Sequence, residues 1–405
     1  MKRSCKDIDM RDWRTLYPWV EACVWKHRRK RRFARLATSV GGVSNDDYIK
    51  ALNSCDKTLL KPAIERIAKH AVSIISSRKL NEPKVSMRER VDKSSGKVRL
   101  IGCQSAMQQV LDAIAVASCD AVWARRIVPQ QASSIPGRGQ VYGMQMIRKW
   151  VQHDLRAYRW ACAHGARYHR ACAYWVILDT TKCYQSMRLD IFLELFVRDV
   201  ANDDIIWLWW ALLDSHRVDG YEGFMIGSLV SQYAAQYVMS FAYRHITTLH
   251  KTRRGKRKRL VSHCLMYMDD ILLTSPSRRD LLIASREVVR WFAQRGLTIK
   301  PNWQICRHDK TPIDMMGYRI HASGKVSIRP RVFVRVRRMA MRCRGQCTLA
   351  LSQAKRICSY KGWVVHSDSG LICRRYKYHQ VSKRAARKVS RYERTKHEGN
   401  LLHAA

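Results

Sequence analysis

Three aspartates stand out by their surroundings. Tyr174 to Asp179 reads YWVILD, five apolar residues running into one acid, the pattern of a buried strand that ends in a carboxylate. Further on, Cys264 to Thr274 reads CLMYMDDILLT, with Asp269 and Asp270 between two apolar runs. That pattern predicts strand, tight turn and strand, with the acids at the hairpin tip. Two adjacent carboxylates repel each other, and a stable protein rarely holds them between apolar strands without a cation. Carboxylate oxygens suit a hard divalent ion such as magnesium. A third carboxylate arriving from another strand makes a two-metal site, in which one ion activates an attacking hydroxyl and the other stabilises a leaving group. A bare Asp pair is common in turns, so the specificity lies in the full string Tyr267-Met268-Asp269-Asp270 within its apolar frame.

The elements that must position these acids are legible in outline. The chain has 405 residues, 46% of them apolar, enough for two or three domains with a sizeable core. Residues 1–90 read as basic and helical, with Trp13, Tyr17, Val20 and Val24 recurring at helical spacing. Val91, a turn at Lys93-Ser94-Ser95-Gly96 and a strand over Lys97 to Ile101 make a hairpin. Ser133 to Gln140 (SSIPGRGQ) reads as a loop. Residues 141–320 alternate strand and helix patterns, the mark of an α+β domain. Arg329 to Gly345 reads as a helix with Pro330 in its first turn and an apolar stripe of Val332, Val336, Met339 and Cys343. Arg331, Arg335, Arg338 and Arg342 recur on another face, suited to tracking a phosphate backbone.

Lys and Arg number 76 against 32 Asp and Glu, a formal net charge of +44. Self-repulsion of that size is relieved by a polyanion, and nucleic acid is the natural one. Short basic runs lie at Lys26 to Arg32 and at Arg253 to Arg259 (RRGKRKR). Fourteen cysteines are scattered with no CxxC pair, the N-terminus has no apolar signal core, and no apolar run approaches a membrane span. Reduced thiols in a cytoplasm, with no membrane partner, are the expectation. Cys162, His164, His169 and Cys172 are zinc-binding residue types, but their spacing fits no zinc module and a basic connecting loop is the expected reading.

Tyr267 to Asp270 resembles the YxDD signature of reverse transcriptases, and other segments agree in family order across roughly residues 90–365. Asp179 to Tyr184 (DTTKCY) resembles the first palm motif, Ile226 to Gln232 (IGSLVSQ) the second, and Lys97-Val98-Arg99 the basic fingers strand. Gly296 to Lys300 and Met316 to Arg319 resemble the two later palm motifs. Within the family, IGSLVSQ, Lys300 to Gln304 (KPNWQ) and Gly362-Trp363 are most similar to enzymes of diversity-generating retroelements and to other phage and bacterial members, including defence-associated ones.

The resemblance implies a right-hand polymerase with fingers, a palm built on an antiparallel sheet and a helical thumb. The expected segments are 1–90 as a basic helical extension, 91–172 as fingers, 173–322 as palm, and 323–405 as thumb and basic tail. It implies two magnesium ions, with manganese a chemically suitable substitute, held by Asp179, Asp269 and Asp270 beside Thr180. Lys97 and Arg99 would grip the incoming triphosphate, Tyr184 would act as the steric gate against a 2′-hydroxyl, and Ile226, Gly227 and Gln232 would line the nucleotide site. Ile226 departs from the Gln of many relatives, and an aliphatic side chain makes no polar contact there, so low fidelity is the expectation. Lys300 would protonate the leaving pyrophosphate. Gly317 and Tyr318 would place the primer end, and Arg331, Arg335, Arg338 and Arg342 would follow the template–primer duplex. The implied partners are an RNA template, a DNA or RNA primer, deoxynucleotides, and a cognate non-coding RNA or accessory protein. Two alternatives stay open: an RNA-dependent RNA polymerase, and a silent RNA-binding scaffold that kept the fold.

Overall fold

The computed structural model describes residues 3–83, 85–91, 96, 98–217 and 223–402. In chain order they form helices α1 (Trp13–His27), α2 (Arg31–Ser39), α3 (Asn45–Ser54) and α4 (Lys61–Ser77), then strands β1 (Ser86–Val91) and β2 (Val98–Cys103). Helices α5 (Ala106–Ala117), α6 (Asp120–Arg126) and α7 (Gln140–Ala163) follow, then β3 (Tyr174–Asp179) and helices α8 (Leu189–Phe196), α9 (Asp203–Asp214) and α10 (Leu229–Thr248). Next come β4 (His250–Arg253), β5 (Lys256–Arg259), β6 (His263–Tyr267), β7 (Asp270–Ser275) and α11 (Arg278–Ala293). The chain ends with β8 (Cys306–Arg307), β9 (Ile313–Met315), β10 (Tyr318–Ile320), β11 (Val326–Ile328), α12 (Pro330–Arg344), α13 (Leu351–Val365), α14 (Gly370–Arg375) and α15 (Tyr378–Leu402). This is the mixed α and β content expected. Two compact units run through it, each drawn from three stretches: 1–134, 179–246 and 286–301; and 135–178, 247–285 and 302–405.

The first unit is largely helical. α1 begins where the Asp12 carboxylate accepts the Arg14 N–H (3.0 Å) and buries Leu16, Val20, Cys23 and Val24, the apolar face the spacing calls for. Phe192, Phe196, Trp209 and Tyr237 are fully buried and pack as stacked, tilted and edge-on pairs with centroids 4.9–5.9 Å apart. The hairpin of β1 and β2 is antiparallel from Ser86↔Cys103 to Val91↔Val98. Of the turn expected at Lys93-Ser94-Ser95-Gly96, the first three residues lie outside the described residues. Val85 and Met225 form a small buried cluster with Met87 and Leu100, which ties the hairpin to the segment ahead of α10.

The second unit contains a four-stranded sheet in the order β6-β7-β3-β8. β6 and β7 are antiparallel from His263↔Thr274 to Tyr267↔Asp270, and β3 pairs antiparallel with β8. Trp150 of α7 stacks on His263 at 4.6 Å. One turn further along α7, buried Asp154 accepts from Tyr168 Oη (3.1 Å), Arg170 Nε (3.3 Å), Ala171 N (2.7 Å) and Cys172 N (3.2 Å). That carboxylate pins the connection into β3, since leaving those groups unpaired in the interior is costly. Beyond the sheet, Val336, Ala340, Cys343, Ile357, Tyr378, Val381 and Ala385 form a helical core across α12, α13 and α15.

Candidate active site

Asp269 and Asp270 lie at the tip of the β6–β7 hairpin, as the apolar runs on either side of them predict. Tyr267 and Asp270 are the last cross-strand pair, so Met268 and Asp269 make the whole turn. Met268 takes a positive φ of 55°, a conformation that costs a side-chain-bearing residue and that recurs at functional turns. Leu265, Met266, Ile271, Leu272 and Leu273 are buried behind the tip, which fixes the hairpin rigidly to the core. Burial raises the Tyr267 phenol above its usual range; a hydrogen bond from Gln140 opposes this and the nearby acids add to it.

Asp179, the last residue of β3, belongs to the first unit. Its backbone carbonyl accepts the Lys300 N–H at 2.8 Å, and Thr181 N donates to Thr298 O at 2.8 Å, so Gly296 to Lys300 runs beside the acid. Lys300 Nζ lies 2.5 Å from Asp179 Oδ2. Among the described residues the other oxygen, Oδ1, is buried with no hydrogen-bond partner, and the same holds for Thr180 Oγ1. Two orphaned hard oxygens on adjacent residues are suited to a divalent cation. Among the described residues no three His, Cys, Asp or Glu side chains are grouped to hold a metal ion.

The start of α10 is built around a carboxylate that the motifs do not reveal. Asp112 of α5 is 1% exposed. Its Oδ2 accepts from Ser228 Oγ (2.8 Å) and from the N–H groups of Leu229 (2.9 Å) and Val230 (3.4 Å). Ser228 Oγ in turn accepts the Ser231 N–H at 3.3 Å. The first three N–H groups of α10, which a helix leaves without internal partners, are thus all satisfied. Asp112 Oδ1 accepts from Gln104 Nε2 at 3.1 Å, and Gln104 and Ser231 both contact the buried His216 ring. Burial pushes the His216 imidazolium down to about 4, which keeps that ring neutral. The sequence signal for Asp112 is an acid inside the apolar run Val110-Leu111-Asp112-Ala113-Ile114.

Around this start the expected nucleotide residues converge. Gly102 N donates to Ile226 O at 3.0 Å, and Phe224 N donates to Tyr184 O at 2.8 Å. Gly227 has φ +117°, and a Cβ there would stand 3.0 Å from Gly102 O, so only glycine allows β2 to come this close. Tyr184, Ile226 and Gln232 are half-buried, and Arg99 is exposed on β2 opposite Arg90. Lys97 lies outside the described residues. Next to Gly227 and Gln232 is a cavity of about 690 Å³ whose other wall includes Trp19, Lys26, Lys30 and Arg32. Residues 1–90 therefore contribute a basic wall beside Gly227 and Gln232. The burial of His27, with Lys30, Lys26 and Arg32 around it, holds its imidazolium down at about 4.

In the second unit, Arg331, Arg335, Arg338 and Arg342 are exposed on α12, opposite buried Val336, Met339, Ala340 and Cys343. Tyr318, expected with Gly317 to place the primer end, has its side chain in the interior of this unit. It is 1% exposed, its ring packs on Trp363 at 4.9 Å, and its hydroxyl donates to Gly362 O at 3.4 Å. Gly317 has φ +81°, and a Cβ there would stand 2.3 Å from the Trp363 ring, so the glycine lets that ring close over the turn. Cys172 is buried, and Cys162 is exposed on α7.

Residues 91–320 match the family described as Reverse transcriptase (RNA-dependent DNA polymerase). No curated protein matches the chain.

Burial raises the Asp112 carboxyl from 3.8 to about 6, against the lowering effect of its hydrogen bonds from Ser228, Gln104, Leu229 and Val230. The folded state therefore binds the proton more tightly than the unfolded chain. The stability contributed is full below pH 3.8 and is lost as pH rises through about 6. The whole span is about 3 kcal/mol, of which a little over 1 kcal/mol is lost between about pH 5 and 7.5. Asp112→Asn, with Gln104 turned to accept, should lack that decline. Urea unfolding of both proteins at the two pH values checks it, and equal changes in the two would remove Asp112 as the source.

Proposed function

The chain belongs to the reverse transcriptase family and is an RNA-directed DNA polymerase, a nucleotidyltransferase acting on an RNA template, a primer and nucleotides; from that premise we propose that Asp179, Asp269 and Asp270 hold two magnesium ions and carry the reaction. One observation supports this above the others. β3, which ends in Asp179 with its unpartnered Oδ1, is the neighbour of β7, which begins at Asp270. When bound, the ions would activate the primer 3′-hydroxyl and stabilise the departing pyrophosphate.

The chain's own residues set up the rest. Thr180 Oγ1 adds a hard donor beside Asp179. Lys300 offsets the Asp179 charge and is a proton source for the leaving pyrophosphate. Arg99 offers its guanidinium fork to the triphosphate from β2. Tyr184 gates the sugar, its backbone tied to Phe224 two residues before Ile226. Gly227 lets the templating pair approach. The exposed arginines of α12 follow the duplex by its phosphates. Ile226 gives the site no polar check on base or sugar, so we assign the enzyme to the error-prone members of the family, in a bacterial or phage retroelement or defence system.

Primer extension on an RNA template with deoxynucleotides and magnesium should give DNA, and Asp269→Asn should lower the rate at least about a thousand-fold. Extension with ribonucleotides alone would instead identify an RNA polymerase, and no product on any primed template would favour the scaffold. Tyr184→Ala should raise ribonucleotide incorporation by about tenfold or more relative to deoxynucleotides; unchanged sugar selection would deny it the gate. Sequenced products should carry frequent misincorporations that Ile226→Gln reduces. An error spectrum identical in both proteins would separate fidelity from that side chain.

A further inference from the structure

The hairpin of β4 and β5 is absorbed by none of this. Between His250 and Arg259 it carries Lys251, Arg253, Arg254, Lys256, Arg257, Lys258 and Arg259, with no acid and no large apolar side chain. It forms a two-stranded sheet of its own, and all its residues but Lys251 are exposed. Such a ribbon has no apolar face to bury and is marginal by itself. Its cross-strand pairs make matters worse, since Lys251 faces Lys258 and Arg253 faces Lys256, and like charges directly opposite are destabilising.

One carboxylate compensates part of this. Asp280 at the start of α11 is 1% exposed; it is bonded to Lys251, and Lys258 Nζ stands 4.0 Å from it. Arg257 contacts His250 at 3.2 Å. Arg253, Arg254, Lys256 and Arg259 have no carboxylate partner among the described residues. The tip is a two-residue turn in which Arg254 and Gly255 have φ of 49° and 74°. Asn, Asp or Gly serve such a turn better than arginine. A cation therefore occupies the tip at a backbone cost, on a ribbon that repels itself.

We propose that this hairpin is a docking arm for the phosphate backbone of double-stranded RNA, gripping a folded segment of the RNA without reading its sequence. A polyanion supplies the countercharge that the ribbon lacks, and strand alternation presents cations on both faces and at the tip. The choice of RNA over other polyanions rests on the reading that the enzyme copies RNA; the arm itself is argued from charge and geometry.

The test uses the full chain and a closed RNA dumbbell with a stem of about 20 base pairs, which offers no 3′ end to extend. One variant carries Arg253→Gln, Arg254→Asn, Lys256→Gln and Arg259→Gln, leaving the residues that contact Asp280 and His250. A control variant carries Lys50→Gln, Lys57→Gln, Lys61→Gln and Lys79→Gln, which removes the same charge from exposed positions elsewhere. Circular dichroism melting confirms that each is folded. Kd is measured between about 50 and 200 mM salt. The hairpin variant should bind at least about tenfold more weakly than wild type, with a salt slope shallower by about three, and the control should stay near wild type. Equal losses in the two variants would reduce the effect to net charge and overturn the arm. Unchanged affinity and slope in a folded hairpin variant would also overturn it and would point to an acidic protein as the partner. Binding is read without catalysis, so a lack of polymerase activity in every protein would sink the polymerase reading alone.

Discussion

A single buried carboxylate, Asp112, organises the start of α10 in the first unit. Its Oδ2 satisfies the Ser228 hydroxyl and two backbone N–H groups at the start of α10. The positive end of the helix dipole and these three donors favour the charge that burial opposes. Everything near the nucleotide motif depends on where that helix begins. Ser228 fixes Gly227, Gly227 admits β2, and β2 carries Arg99. The same chain of contacts reaches Tyr184 through Phe224. A displacement of the helix start by one residue would put a side chain where the backbone of Gly102 now passes.

The acidic hairpin follows a different logic. Its strands β6 and β7 are held from behind by apolar side chains on both of them. Position comes from packing, which interiors enforce closely. The two devices divide the labour by chemistry. The acids Asp179, Asp269 and Asp270 sit at strand ends backed by apolar cores, and Gly227 sits on a loop fixed by hydrogen bonds.

Local features were legible in the sequence for the same reason that they are local. Apolar runs and a turn define β6 and β7, and the arginine and valine spacings define α12 with its exposed and buried faces. The hairpin of β1 and β2 followed from its turn residues, although the strands extend back to Ser86. Partnerships across long separations were not legible. Asp112 and Ser228 are 116 residues apart, and only packing tells that this acid caps that helix. Tyr318 lies 45 residues before Trp363, and only the fold shows that their rings pack together. The basic wall that residues 1–90 place beside Gln232 is likewise a product of folding. The two units interleave along the chain, which no reading in linear order anticipates.

The distribution of acids explains why the surface is more basic than the net charge suggests. Asp112, Asp154, Asp199 and Asp280 are all buried, each spent on anchoring a backbone segment or a cation: Asp154 holds the approach to β3, Asp199 the guanidinium of Arg126 at 2.6 Å, Asp280 the root of the basic hairpin. Removing one partner from such a buried set is costly, so these acids cannot be released to neutralise exposed cations. The asymmetry is therefore built into the fold. These four carboxylates are drawn inward as structural anchors, and cations are left outward on α12 and on the hairpin. A fold arranged this way is relieved of its own repulsion when phosphate covers those surfaces.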